Sequence, residues 1–306
     1  MKTKRLRVLT WVLLVVFAVL YSGFSENTLQ LCEKLRACMA AVTSIFPYSL
    51  FEVFILLIPI VLIFFFKHAG TRFIRKSTVV IVSFLLTVYF VNIVIPYYCV
   101  SPQKEQEKCS EDQYLHAVYT LSSEISSLNP TNFSQKSTAP YGAKVSILSG
   151  IYTALGISGL YYFPTAEYVV NMDTPAYISA FCAAHEYSHF SSVMREDEAN
   201  LNAYILLASS EEPFFRYSAY LYAFELISSS LLASDYVSVD ELLSLLPDFA
   251  RSDLLDHKQY VQSYKNGFFY KISLKLNDAA QSVNDKRGGA SYSSSASLIC
   301  NYILFG

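Results

Sequence analysis

The sequence predicts a mainly helical, α+β protein: three N-terminal transmembrane helices, then a helix-rich outer domain with a small sheet or strand. Three observations carry that expectation. Nearly all the long apolar runs fall in residues 8–98. Beyond them, apolar positions recur at helical spacing. One stretch, Ala166-Glu167-Tyr168-Val169-Val170-Asn171, is the best strand candidate in the outer part.

Composition narrows the class. Of 306 residues, 53% are hydrophobic and only 16% charged, whereas about a quarter are charged in a soluble protein. That excludes an ordinary cytosolic enzyme. The net charge of −2, with no basic block beyond the N-terminus, gives no footing for nucleic acid as a partner.

The expected spans run from about Val8 to Phe24, Leu50 to Phe66 and Thr78 to Tyr97, each long enough for a hydrocarbon core of about 30 Å. Pro59 inside the second is tolerated in a membrane helix. A cleaved signal peptide is the rival reading of the first. Its basic start and Tyr21–Ser25 end suit that, but no small-x-small cleavage site follows, so a retained helix is preferred. Lys2, Lys4, Arg5 and Arg7 precede the first span, and Lys67, Arg72, Arg75 and Lys76 separate the second from the third. The loop at 25–48 has only Lys34 and Arg36, offset by Glu26 and Glu33. By the positive-inside rule the N-terminus and the 67–77 loop are cytoplasmic, and everything after Tyr98 is extracytoplasmic. The six cysteines, Cys32, Cys38, Cys99, Cys109, Cys182 and Cys300, then all lie outside. Disulfides such as Cys32–Cys38 or Cys99–Cys109 are permitted there. Cys182 reads instead as a small buried hydrophobe.

The chain divides into a membrane region (1–98), a polar tether (99–112) and an outer domain (113–306). A helix is expected from about Gln113 to Leu128, a loop from Asn129 to Gly142, and a Gly- and aromatic-rich stretch from Gly150 to Tyr162. After the strand, Asp173-Thr174-Pro175 reads as a helix start, with Thr174 as cap and Pro175 in the first turn. Ile178, Phe181, Cys182, His185 and His189 share one stripe of that helix. A break near 191–194 precedes a second helix from about Arg195. Further helices are expected at 213–232, 239–249 and 251–264, and the Gly/Ser-rich 288–297 segment reads as a loop before a last short helix.

The chemistry is concentrated in His185-Glu186-Tyr187-Ser188-His189 and Glu196-Asp197-Glu198-Ala199-Asn200. Residues four apart on a helix share a face, so both imidazoles can reach one ion, with a glutamate beside them. Two histidines, a carboxylate and one open position suit one zinc ion. Glu196 is the expected third ligand, with Glu198 as the alternative. Asn200 lies one turn beyond Glu196 and can fix the orientation of a ligand histidine. Glu186 is the expected general base for a zinc-activated water. Tyr217 is a candidate oxyanion donor, and the 166–171 strand can take an extended peptide at its edge. His68, His116 and His257 have no supporting context. The motif helix is too polar to span, which keeps the site out of the bilayer.

With these residues in view, the chain resembles the bacterial membrane-protein family known as domain of unknown function 3810. The likeness covers nearly the whole chain. It includes Gly156-Ile157-Ser158-Gly159, Phe163-Pro164-Thr165-Ala166-Glu167, Ala184 to His189, Arg195 to Asn200 and Arg216-Tyr217-Ser218. The resemblance implies a bacterial plasma-membrane protein with a metallopeptidase-like, zincin-type outer domain. The Glu-x-x-Ala-Asn signature is also similar, with Asp for Asn, to that of gluzincins generally, which supports Glu196 as ligand. Two positions depart from the pattern. Ser192 stands where the family often has glycine, and Ser188 where many such enzymes have Ala or Gly.

The leading expectation is therefore a membrane-anchored zinc metallopeptidase acting on a peptide or protein substrate, membrane-proximal segments included. The alternatives are a catalytically silent, metal-stabilised binding module of the cell envelope, or an amidase acting on envelope material.

Overall fold

The computed structural model describes residues 26–68, 71–100, 108–133, 140–271, 274 and 291–306. The first expected span, its basic flank at Lys2–Arg7 and tether residues 101–107 lie outside them. The architecture is mainly helical with one three-stranded sheet. The chain forms two units, and two short later segments, 161–167 and 190–194, belong to the first with the described residues up to 100.

In the first unit, the 25–48 stretch expected as a loop is largely a helix, α1 (Glu26–Thr43). It buries Cys32, Arg36 and Thr43 while Leu31, Leu35 and Val42 stay exposed. No hydrophobic stripe announces such a helix, because its buried face is the polar one. Arg36 is 1% exposed, donates to Ser192 Oγ and lies 5.9 Å above the Phe190 ring. Ser192 Oγ in turn donates to Glu33 Oε1 at 3.1 Å. The turn at Ser192 has φ of 79°, a left-handed conformation that costs a side-chain-bearing residue about 1–2 kcal/mol. Glycine would relax it but would remove the hydroxyl that Arg36 and Glu33 share.

Helix α2 (Leu50–His68) is apolar and contains Pro59. Its first turn is closed by a residue from far along the chain: Glu167 accepts from Ser49 Oγ and from the backbone N–H groups of Leu50 and Phe51. A carboxylate there satisfies donors that the helix itself cannot, and complements its dipole. Phe54, Ile55, Leu56, Leu57 and Ile58 are exposed, whereas Glu52 is fully buried and accepts from the Tyr162 hydroxyl at 3.4 Å. Helix α3 (Thr71–Tyr89) continues through a π-helical stretch at Phe90–Val94 into α4 (Ile95–Cys99). Asn92, in the π stretch, is buried and donates to Val88 O at 3.0 Å. Among the described residues one helix, Ile81–Cys99, is long and apolar enough to cross a membrane, and Leu50–Val61 is a shorter apolar stretch. Of the three expected spans, the third thus coincides with a helix of that length and composition, and the set of three is not shown.

In the second unit, α5 (Glu111–Ser127) starts two residues earlier than expected because Ser110 and Gln113 form a reciprocal capping box. The aromatic-rich stretch that follows resolves into β1 (Lys144–Val145), α6 (Ser149–Leu155) and β2 (Gly159–Tyr162), followed by β3 (Glu167–Val170). The sheet order is β1-β3-β2, with β1 parallel to β3 in the register Lys144↔Val169. A four-residue turn with Ala166 at φ 52° returns β2 into β3. The expected strand is therefore real, but it is the central one. Its two edges are already paired, and an added peptide would need β1 or β2.

Helix α7 (Ala176–Phe190) carries the histidine motif and is buried almost all round, Glu186 and Ser188 included. Ser179 N–H donates to Pro175 O, while Thr174 Oγ1 bonds to Asn171 O and to Ser179 Oγ rather than capping a backbone N–H. After the 191–194 turn come α8 (Glu196–Ala208) and α9 (Pro213–Ala233). The expected 239–249 helix is divided at Pro247 into α10 (Val239–Ser244) and α11 (Asp248–Lys265). The last helix, α12 (Ser291–Phe305), begins inside the serine-rich segment expected to be a loop. Its residues 295–300 are all buried, so tertiary packing overrides weak local propensity. α9 packs on α5 and α8, and α12 on α8, α9 and α5. Val118, Leu121, Phe181, Leu207, Leu221, Phe224 and Ile299 lie in the resulting core.

Candidate metal centre

One helical turn of α7 sets the His185 and His189 rings 4.7 Å apart and nearly perpendicular. The following turn brings Glu196, the first residue of α8, back against them. His185 Nε2 lies 3.2 Å from Glu196 Oε2, and His189 Nε2 lies 3.6 Å from Oε1. All three ligand atoms fall within 4.8 Å of one another, the one such group among the described residues. Tetrahedral zinc with bonds of about 2.0–2.1 Å separates neighbouring ligand atoms by about 3.3 Å. The donor set fits that spacing. Burial alone would raise the Glu196 pKa, but His189 and His185 outweigh it and hold the carboxyl down to about 2. It is ionised at neutral pH, as a ligand must be.

The His185 tautomer follows from its neighbour. Asn200 Oδ1 lies 2.9 Å from His185 Nδ1. An amide oxygen only accepts, so Nδ1 carries a proton, which leaves Nε2 as the nitrogen that faces Glu196. Asn200 Nδ2 donates to Ser295 Oγ at 3.0 Å, and Ser294 Oγ donates to Asp197 Oδ2 at 2.6 Å. Both serines come from α12. They were invisible in the sequence because a serine-rich run has no helix signature. Ser188, one of the two departures from the family pattern, is buried; it donates to Ala184 O and accepts from Asn202 Nδ2, tying α7 to α8.

Glu186 is 8% exposed and lies against β2. A Cβ on Gly159 would meet Glu186 Cγ at 3.0 Å, Glu186 Oε1 at 3.2 Å and Val169 O at 3.1 Å. The glycine is required by space, not by its backbone angles. Gly159→Val must displace either the carboxylate or the strand. The variant should be less stable than wild type, a result that thermal unfolding of the two side by side would check. Near Glu186, burial and then the Glu186 charge push the Cys182 thiol up to about 12. Cys182 is thus a neutral, partly buried group.

Other expected residues fall elsewhere. Glu198 is buried with its carboxylate 3.9 Å from Arg195, so it does not lie on a solvated face. Tyr217 is 1% exposed, packs against Phe133 and Phe249, and donates to Asp253 Oδ2 at 2.5 Å. Burial and Asp253 hold its proton firmly. It is a core residue of α9, and its hydroxyl is committed to Asp253 rather than to an oxyanion. His116 is exposed. His257, for which the sequence offered no frame, pairs through Nδ1 with Glu225 at 2.7 Å, and Glu225 also accepts from Tyr177.

No curated protein and no solved structure matches the chain. The family described as "Protein of unknown function (DUF3810)" matches residues 101–300, a stretch holding both motif helices. That match covers 200 of the 306 residues, and the chain belongs to the DUF3810 family.

Proposed function

We propose that the protein is a membrane-anchored zinc metallopeptidase with its site on the extracytoplasmic side. One observation carries this reading: two histidines one turn apart and an ionised glutamate converge at the spacing of a single tetrahedral ion, and a buried glutamate directly follows the first histidine. His185, His189 and Glu196 would hold the ion. When bound, zinc supplies Lewis acidity toward a substrate carbonyl and toward water. Glu186 takes the proton from the attacking water and returns it to the leaving amine. Asn200, backed by Ser295, keeps His185 in the ligating tautomer.

Anchoring is supported by the Ile81–Cys99 helix and by the exposed apolar side chains of α2. With the two further N-terminal spans read from the sequence, the charge bias sets the N-terminus inside and the catalytic unit outside. The substrate class is a peptide or protein of the membrane or envelope.

The test is metal content and peptide hydrolysis by purified full-length protein in detergent. One zinc per chain is expected, with hydrolysis that a chelator removes and added zinc restores. Bound zinc without turnover on a broad peptide library would leave the silent binding module as the reading. No zinc would remove the metal centre altogether.

A further inference from the structure

We propose that Cys109 and Cys300 form a disulfide that fastens the C-terminal helix α12 to the residue preceding the α5 cap. The two residues are 7% and 0% exposed and share the hydrophobic core. Their thiols are neighbours in that core. Two further contacts hold the same place: Cys109 Sγ lies 3.7 Å from Ser297 O, and the Tyr114 hydroxyl lies 2.6 Å from Ser297 Oγ.

The pairings expected from sequence do not suit this arrangement. Cys32 and Cys38 sit six residues apart on the single helix α1. That spacing puts them about 9 Å apart along the axis, beyond disulfide reach. A Cys109–Cys300 bond excludes the Cys99–Cys109 alternative. The pairing was not legible because 190 residues separate the two positions and neither lies in a recognisable spacing.

The location gives the bond a role. Ser294 and Ser295, less than two turns before Cys300 on α12, bond to Asp197 and Asn200, and Asn200 orients His185. A covalent pin on α12 therefore steadies the outer support of a metal ligand. Formation takes two electrons and two protons from the two thiols and makes one S–S bond. The electrons pass by thiol–disulfide exchange to the disulfide of an export-compartment thiol oxidase, which is reduced to its dithiol. Burial pushes the Cys109 thiol up, and it pushes Cys300 further, with Cys109 adding to the effect. Such thiols are protonated and poor nucleophiles. Exchange therefore belongs to folding, before the core closes, and the finished bond is shielded from reductant. This inference goes beyond the proposed activity and rests on the outward orientation alone.

The experiment uses full-length protein from membranes quenched with N-ethylmaleimide, digested without reductant and read by mass spectrometry. The expected result is a linked peptide pair containing Cys109 and Cys300 in most chains. Wild type should also melt roughly 10 °C lower after reduction, and the Cys109→Ala/Cys300→Ala variant should not respond to reductant. Maleimide on both cysteines after denaturation, or linkage of either to another cysteine, would overturn the pairing; this readout needs no variant to fold. Labelling of exposed Lys258 by an impermeant amine reagent on intact cells separates the causes. Free thiols with Lys258 labelled overturn the disulfide alone. Free thiols with Lys258 protected overturn the orientation and the disulfide together. Zinc content in the same sample reports on the metal centre independently.

Discussion

Glu186→Gln is expected to lower kcat by roughly 10²–10⁴-fold, the usual contribution of a positioned general base, while one zinc per chain remains. The substitution keeps size and shape, which matters because Glu186 sits in a closely fitted slot beneath Gly159. It removes only the ability to take a proton. The metal group is made of His185, His189 and Glu196, so the amide leaves every ligand in place. KM should change little, since the lost interaction belongs to the transition state. Kinetics with elemental analysis on one preparation decide the matter. An unchanged rate would move the proton to another group, and unchanged ligand capture without turnover in either protein would describe a binder.

Alanine at His185, His189 or Glu196 is expected to empty the site on dialysis, taking zinc from one per chain to near zero. Each change removes one of three donors that already stand at ligand spacing, and no other His, Cys, Asp or Glu among the described residues completes the group. Asn200→Ala should be milder, weakening zinc by roughly 10–100-fold, because it frees the His185 ring without removing a donor. Competition with a calibrated chelator measures that gradation. The Glu196 and Glu198 variants also arbitrate the third ligand. Glu198→Ala should keep the metal, since its carboxylate is buried beside Arg195. Zinc lost from Glu198→Ala and kept in Glu196→Ala would reverse the assignment.

The legible and illegible parts of this protein differ for physical reasons. Helical periodicity marked α5, α7, α8 and α9 because each buries an apolar face. α1 escaped because it buries Arg36 and Cys32 instead. The motif residues could be read because ligands on one helix face obey a fixed spacing. Asn200 could be placed from the same rule, one turn beyond Glu196. Ser295 could not, because its partner lies 95 residues away and nothing local distinguishes it from its serine neighbours. Tyr217 shows the opposite failure. Its motif context was suggestive, but orientation about the α9 axis turned it into the core. The strand was found from composition, yet its central position depended on β1, two residues that no pattern marks.

The cap that Glu167 places on α2 sets an order of events during synthesis. The first turn of α2 is made more than a hundred residues before Glu167 exists, and Ser192, which accepts from Arg36, follows later still. At about 5–20 residues per second, the interval is on the order of ten seconds. Through that time the first turn of α2 and the Arg36 guanidinium of α1 stay unanswered. A chain stopped at residue 100 would carry the hydrophobic segments but never receive the groups that settle them. The first unit is thus completed only by the later segments 161–167 and 190–194, so a single crossover after residue 100 would not transfer it whole.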